Sequence, residues 1–375
     1  MKYGMLEKFK NHLDKDRKYS VGAQIMKHEF MNTRLMIYYP TYKIVEGFKD
    51  FEYLIDGQEQ IKKLILSLGY RLPEAFFKFM LDLTMGVKLN APLAVNQGVK
   101  FYPILFSCTT GVTFTQYSML MKELVSKSNL IIICIEHLDL KEKKTRINRP
   151  PKEGQQPDQQ SFVRYKYMRD NLLIRTNDLK YFVNLRNLAQ TFRILFEEEE
   201  FQHISFEKLA AMGHGLGGAA TIQLSNESDI VNAIISLTPF LQPFKKGIEG
   251  EGFMVMQPHL NIVTETFMKN ETNKLLIDSL AEKRMKVKKM NGFQNVQISD
   301  MDMLGFSDQC MLFGLELSWL MKTEKSNDND KCVEKIKTTA KIIRGFLALV
   351  KFTDEPYEEH YEQLKDLKDV EYLLS

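Results

Sequence analysis

Histidine is scarce in this chain. There are seven in 375 residues, and none between positions 260 and 359. Cysteine is scarcer still, four in all with no close pair, which excludes a disulfide scaffold and a CxxC metal site. A strong charge of either sign is missing too. Lys and Arg number 51 against 48 Asp and Glu, a net charge of +3, so nothing suggests the clustered basic face of a nucleic-acid binder. There is no run of 18 apolar residues and hence no expected transmembrane helix; the longest apolar stretch, 130–135, is the length of one strand. The first 20 residues lack the apolar stretch of a secretory signal, and Glu7, Asp14 and Asp16 argue against a mitochondrial presequence. Position 2 is Lys, which excludes N-myristoylation. The expectation is an intracellular protein, cytoplasmic by default, with a cytoskeletal, ciliary or organellar assembly left open.

What is present is a core. With 44% hydrophobic residues, most of the chain has enough apolar surface to fold, and the length suits one large α/β domain or two ordinary ones. Residues 1–20 read as a charged segment and 23–39 as two strands ending at Tyr38-Tyr39-Pro40. The stretch 57–87 reads as an apolar helical insertion: Ile61, Leu64, Ile65 and Leu68, then Phe76, Phe77, Phe79, Met80 and Leu83. It would form a helical hairpin of the domain or a lipid- or partner-facing patch. Tyr102 to Phe106 and 130–135 read as strands, the second apolar throughout as in a parallel strand buried on both faces. A helix falls between them over 116–127. The segment 140–160 is polar and reads as an exposed loop. Asn177 is placed to cap a helix running towards Glu200. Strands follow at 209–212, 231–237, 261–263 and 296–298, with helices at 272–289, near 310–321 and at 331–350, and an acidic tail over 353–375. This alternation predicts an α/β fold with a mostly parallel central sheet and helices on both faces.

The strand at 209–212 enters Gly213-His214-Gly215-Leu216-Gly217-Gly218 and then a helix. A dinucleotide loop fits poorly. It belongs to a first βα unit, and no acidic residue closes the following strand near Ile234-Ile235-Ser236. The nucleophile elbow, Gly-x-Ser-x-Gly, fits better, with Gly215 where the serine would stand. The elbow residue adopts a strained positive φ, which glycine relieves while removing the nucleophile.

Together these segments resemble the platelet-activating factor acetylhydrolases, also called group VII phospholipases A2. Tyr19-Ser20-Val21-Gly22 resembles the family's YSVG. Leu35 to Pro40 resembles its short strand, and Tyr102 to Ser107 its strand into the oxyanion loop. Glu136-His137-Leu138-Asp139 is similar to its EHRD, and MGHGLGGAATIQ (212–223) to its elbow. Gln257-Pro258 and Thr264-Glu265 fit the strand after the acid position, and the resemblance covers roughly residues 18–350. It implies an α/β-hydrolase fold over 21–352 and phospholipid acetyl-ester hydrolysis without a cofactor. The departures fall on the catalytic positions. The family's Ser corresponds to Gly215, its Asp to Thr238 and its His to a position near Met303. The oxyanion loop's His-Gly has become Cys108-Thr109, leaving the backbone N–H groups of Thr110 and Leu216 as vestigial oxyanion donors.

Other candidates are few. His259 and His360 alone follow the elbow, the first opening a strand and the second in the tail. Cys108 is a free thiol that would need a neighbour such as His214 to lower its pKa; otherwise it is a small buried hydrophobe. Ser107, Thr109 and Thr110 read as turn residues without a base. Asp300, Asp302 and Asp308 lack the spacing of a calcium loop, and no metal is expected. A triad acts as a unit, so losing all three members removes the chemistry. The expected function is that of an inactive hydrolase retained as a structural or interaction subunit of a larger protein complex. The alternatives are an acyl-ligand or lipid-binding protein using the retained pocket and stretch 57–87, or an esterase with a relocated nucleophile.

Overall fold

The computed structural model describes residues 17–43, 46–67, 81–138, 157–250, 253, 255–285, 293–308, 329–365, 367 and 369–373. The strands are β1 (Ser20–His28), β2 (Thr33–Thr41), β3 (Asp50–Glu52), β4 (Thr84–Leu89), β5 (Tyr102–Ser107), β6 (Leu130–Glu136), β7 (Ala210–His214), β8 (Ala233–Leu237), β9 (His259–Thr264), β10 (Phe293–Ile298) and β11 (Val370–Leu373). They form one sheet in the order β11-β10-β9-β8-β7-β5-β6-β2-β1-β4-β3. From β6 to β10 the neighbours run parallel, while β2 lies antiparallel to both β1 and β6 and β11 closes the far edge antiparallel to β10. Strand β6 shows why the centre is so apolar. Leu130, Ile132 and Cys134 pack into one core layer and Ile131, Ile133 and Ile135 into the other. A period of two with both faces covered leaves no room for a polar residue.

The longer helices are α1 (Gln58–Ser67), α2 (Ser118–Lys127), α3 (Pro157–Val183), α4 (Leu185–Leu195), α5 (Leu216–Glu227), α6 (Glu271–Met285), α7 (Asn329–Leu349) and α8 (Tyr357–Lys365). Helices α2 and α7 cover one face, and α3 to α6 cover the other. Among the described residues no helix is long and apolar enough to cross a membrane.

The structure changes several expected boundaries. Among the described residues of the 57–87 insertion, Gln58–Ser67 form an α-helix. Thr84 to Val87 belong to β4, where Met85 and Val87 turn inwards with period two, pairing antiparallel with β3 and parallel with β1. Phe76, Phe77, Phe79 and Met80 lie outside the described residues, as does the helix expected near 310–321. The polar loop becomes helical at Pro157, and α3 runs through Asn177 without a break. The cap is Asn184, whose side chain accepts from the Arg186 and Asn187 N–H groups to start α4. The stretch 353–375, read as a tail, contributes α8 and the edge strand β11.

Candidate functional site

Strand β7 turns into α5 at Gly215, which has φ +55° and ψ −114°. The Gly215 N–H donates to the Leu237 carbonyl at 2.9 Å, and its own carbonyl accepts from Phe240 N–H at 2.9 Å and Ala219 N–H at 3.0 Å. The turn is thereby fastened to the end of β8. It is also tight: a Cβ on Gly217 would lie 2.0 Å from the Ser107 carbonyl oxygen. At Gly215 a Cβ would lie 2.2 Å from Thr109 Oγ1 and 3.0 Å from Thr109 Cβ. The space in which a nucleophile's side chain would begin is already filled by the Thr109 hydroxyl.

Thr238 follows β8 directly, next to the Leu237 carbonyl that holds Gly215. It is fully buried at φ +40°, an uncommon and strained region for a β-branched residue. Its Oγ1 is buried without a hydrogen-bond partner among the described residues. Met303 opens a short helical turn, Met303–Phe306, after β10, and is 42% exposed. The same turn brings the Phe306 ring edge-on to His214, with centroids 5.4 Å apart. Gly215, Thr238 and the Met303 turn thus lie round one end of the sheet, and none offers a serine or cysteine, a carboxylate or an imidazole.

His214 does not replace the missing base. Its Nδ1 is 2.7 Å from Tyr117 Oη, which also accepts the Thr109 N–H at 3.2 Å. Which of the two donates follows the tautomer of the ring. Burial pushes His214 down to about 4 and Tyr117 well above its usual value, so both are neutral at pH 7. Cys108 is buried, and its carbonyl accepts from Arg175 Nη1. The His214 Nδ1 is turned to Tyr117. Leu216 opens α5, so its N–H belongs to a first turn that has no intrahelical acceptor. Thr110 keeps its hydroxyl buried without a partner among the described residues.

The remaining candidates have structural work. His259 Nε2 lies 2.8 Å from Ser236 Oγ, which donates to Asn261 Oδ1 at 2.9 Å; Asn261 then donates to Asn295 at 3.0 Å. Burial pushes His259 down to about 3. His360 pairs with Glu355 at 3.1 Å. Asp302 caps its own turn by accepting from Leu304 N–H at 2.8 Å. Asp308 caps α2, accepting from Ser118 N–H, Ser118 Oγ–H and Met119 N–H at 3.0, 2.6 and 3.1 Å, and burial raises its pKa. Asp300 does not join them: among the described residues no group of three His, Cys, Asp or Glu side chains is placed to hold a metal ion.

One arrangement was not legible in the sequence. Ser107, read as a turn residue without a base, lies with its Oγ 2.8 Å from His137 Nε2, and His137 Nδ1 lies 2.7 Å from Asp178 Oδ2. Hydroxyl, imidazole and carboxylate stand in the order and at the distances of a catalytic triad. The register explains the first contact. Ser107 pairs with Ile135 across parallel strands, so His137, two residues on, shares its face. The hydroxyl is closed in, however: Ser107 has no exposed surface, and only 1% of the His137 side chain is exposed. Beside this chain a cavity of about 180 Å³ opens to solvent, with Cys108, Thr109, His137 and Arg175 on its wall. Gly215, Leu216, Thr238 and Met303 do not line it.

A mostly parallel sheet with one antiparallel strand beside its centre, helices on both faces, and a tight strand–helix turn on a central strand define the α/β-hydrolase class. A solved structure agrees in fold: ferulic acid esterase from Streptomyces cinnamoneus superimposes with a TM-score of 0.57 over 95% of this chain and 97% of its own, at 12% identity. Among curated proteins no sequence matches the chain. The family described as platelet-activating factor acetylhydrolase, isoform II, matches residues 11–347, and the chain belongs to it.

Proposed function

We propose that this family member performs no ester hydrolysis at its elbow and serves as a structural or interaction subunit of a larger intracellular protein assembly. The observation that carries the reading is the filled nucleophile position, where Thr109 Oγ1 stands 2.2 Å from where a Gly215 Cβ would be. A nucleophile activated by a base is the common requirement of serine and cysteine esterases, and Gly215, Thr238 and Met303 supply neither. Preservation of both core layers around that site supports retention of the fold for another use. Affinity purification of the endogenous protein followed by mass spectrometry tests the assembly: the reading expects a reproducible set of stoichiometric partners, and a protein recovered alone contradicts it. Contact with a membrane surface through 57–87 is a further part of the proposal, checked by liposome flotation with and without that stretch.

A second reading moves the chemistry to Ser107, favoured by its 2.8 Å contact with His137 and the 2.7 Å contact behind it. It requires an acyl carbon to come within about 3 Å of the hydroxyl, and the enclosure of Ser107 counts against it. Peptide mapping after treatment with a fluorophosphonate separates the readings, because only an activated Ser107 takes the label.

A further inference from the structure

We propose that the outer edge of β11 binds an extended basic peptide of a partner protein, taken up as one further strand of the sheet. This gives the interaction-subunit reading a surface and rests on that reading for its use in the cell, while the binding itself is measured apart from it. Strand β11 (Val370–Leu373) ends the sheet, antiparallel to β10. Residues of an antiparallel pair turn their N–H and C=O groups alternately towards the neighbouring strand and away from it. The Ser299 N–H donates to the Asp369 carbonyl at 3.0 Å, which sets the phase. Asp369, Glu371 and Leu373 therefore face β10, while Val370 and Tyr372 turn both main-chain groups outwards. Among the described residues none answers those groups. The edge thus offers two donors and two acceptors in one line, the template that an added strand needs. The opposite edge is a poorer one, since β3 has three residues and a shift of register.

The side chains beside the edge select the peptide. Val370 and Tyr372 lie across from Ile298 and Val296; Val370 packs on the core there, and Tyr372 is 51% exposed. Burial, and then Tyr357 of α8 nearby, raise the Tyr372 pKa, so its phenol is neutral at pH 7. The Tyr357 ring lies 5.7 Å from that of Tyr361, which is also exposed. Such rings give the stem and ammonium of a lysine a surface to lie on. The charge around them is largely of one sign. Residues 357–373 hold six acidic residues against two lysines, and Glu358, Glu359 and Glu371 are exposed. A second copy of the chain would bring an equally acidic edge against this one, and like charges across a strand pair oppose it. A basic strand is drawn to the edge, and the main-chain bonds then fix its place.

Fluorescence anisotropy tests this, with the full chain titrated into a fluorescein-labelled peptide of four Lys-Val repeats. One control peptide has Glu for every Lys. Another is N-methylated at every peptide bond, which keeps the side chains and removes the donors of both its edges. The expected result is saturable binding of the Lys-Val peptide, with each control weaker by about tenfold or more. Tyr372→Pro removes one outward donor and leaves the bonds to β10, so it should weaken the peptide by about three- to tenfold. If that variant does not fold, Glu371→Lys decides, an exposed change that should weaken the peptide by about threefold or more. No saturable binding to the wild type, equal binding of either control, or undiminished binding by the folded variant overturns the proposal. So does self-association of the chain alone, seen by sedimentation, that Tyr372→Pro abolishes, because a second copy then holds the edge. Stoichiometric partners recovered from cells without any peptide binding would leave the subunit reading standing and overturn only the β11 edge.

Discussion

Two residues, Gly215 and Thr109, describe the state of the elbow between them. A glycine there keeps the positive φ without strain, and a threonine side chain from the neighbouring loop takes the volume a nucleophile would need. Gly215→Ser should therefore destabilise the fold by about 1–3 kcal/mol, from overpacking together with a positive φ. Adding Thr109→Ala should return part of that loss, because the two changes share one space. Urea unfolding of the two single variants and the double variant measures this, and none of the three should hydrolyse an acetyl-ester phospholipid. The glycines were legible in the sequence because a strand–turn–helix pattern makes them recognisable. Thr109 was not, since its role arises only when β5 and β7 are adjacent.

The buried histidines set a pH dependence at the same scale. His214 and His259 have native pKa values of about 4 and 3, below the ordinary 6.5, because burial disfavours the imidazolium. The stability they hold is whole above pH 6.5 and is lost as pH falls through that window towards 4 and then 3. Melting midpoints should drop as the buffer is taken from pH 6.5 to 4. His214→Phe should show a shallower drop than the wild type over that range; an equal slope would count against a neutral, buried His214.

At the scale of elements, the chain from Ser107 through His137 to Asp178 joins β5, β6 and α3. The apolar strand of 130–135 announced β6, and its end was visible at Glu136-His137. The third member was hidden, since Asp178 lies 41 residues beyond His137 on a helix that the sequence pattern read as starting at Asn177. That helix begins instead at Pro157, in a stretch whose Pro, Gln and Gly content resembles a loop. Propensity was overridden by packing, as Leu172, Leu179 and Phe182 of α3 are buried against the sheet. Strand β4 was mistaken for helix for a related reason: a short greasy stretch has no clear period, and pairing with β1 and β3 decides its form. Breaking the chain with His137→Ala should cost about 1–3 kcal/mol, the penalty for leaving the Asp178 carboxylate and Ser107 hydroxyl without their partner. Chemical denaturation with tryptophan-independent circular dichroism reads this, and a change near zero would mean the chain pins nothing.

At the scale of the whole molecule, the strand order and the two core layers are those of a hydrolase, and the family match extends over residues 11–347. The fold was legible because buried parallel strands and an elbow are written in consecutive residues. The filling of the site was legible only in part, as Gly215, Thr238 and Met303 stand in the sequence while the closure by Thr109 does not. The central claim is that this family member carries no working nucleophile. The most direct measurement is to incubate the purified full chain with a fluorophosphonate probe and locate any adduct by peptide mass spectrometry. The account predicts an unlabelled protein, with Ser107 unmodified. A stoichiometric adduct that is lost in His137→Gln would contradict it and place an active hydrolase on Ser107.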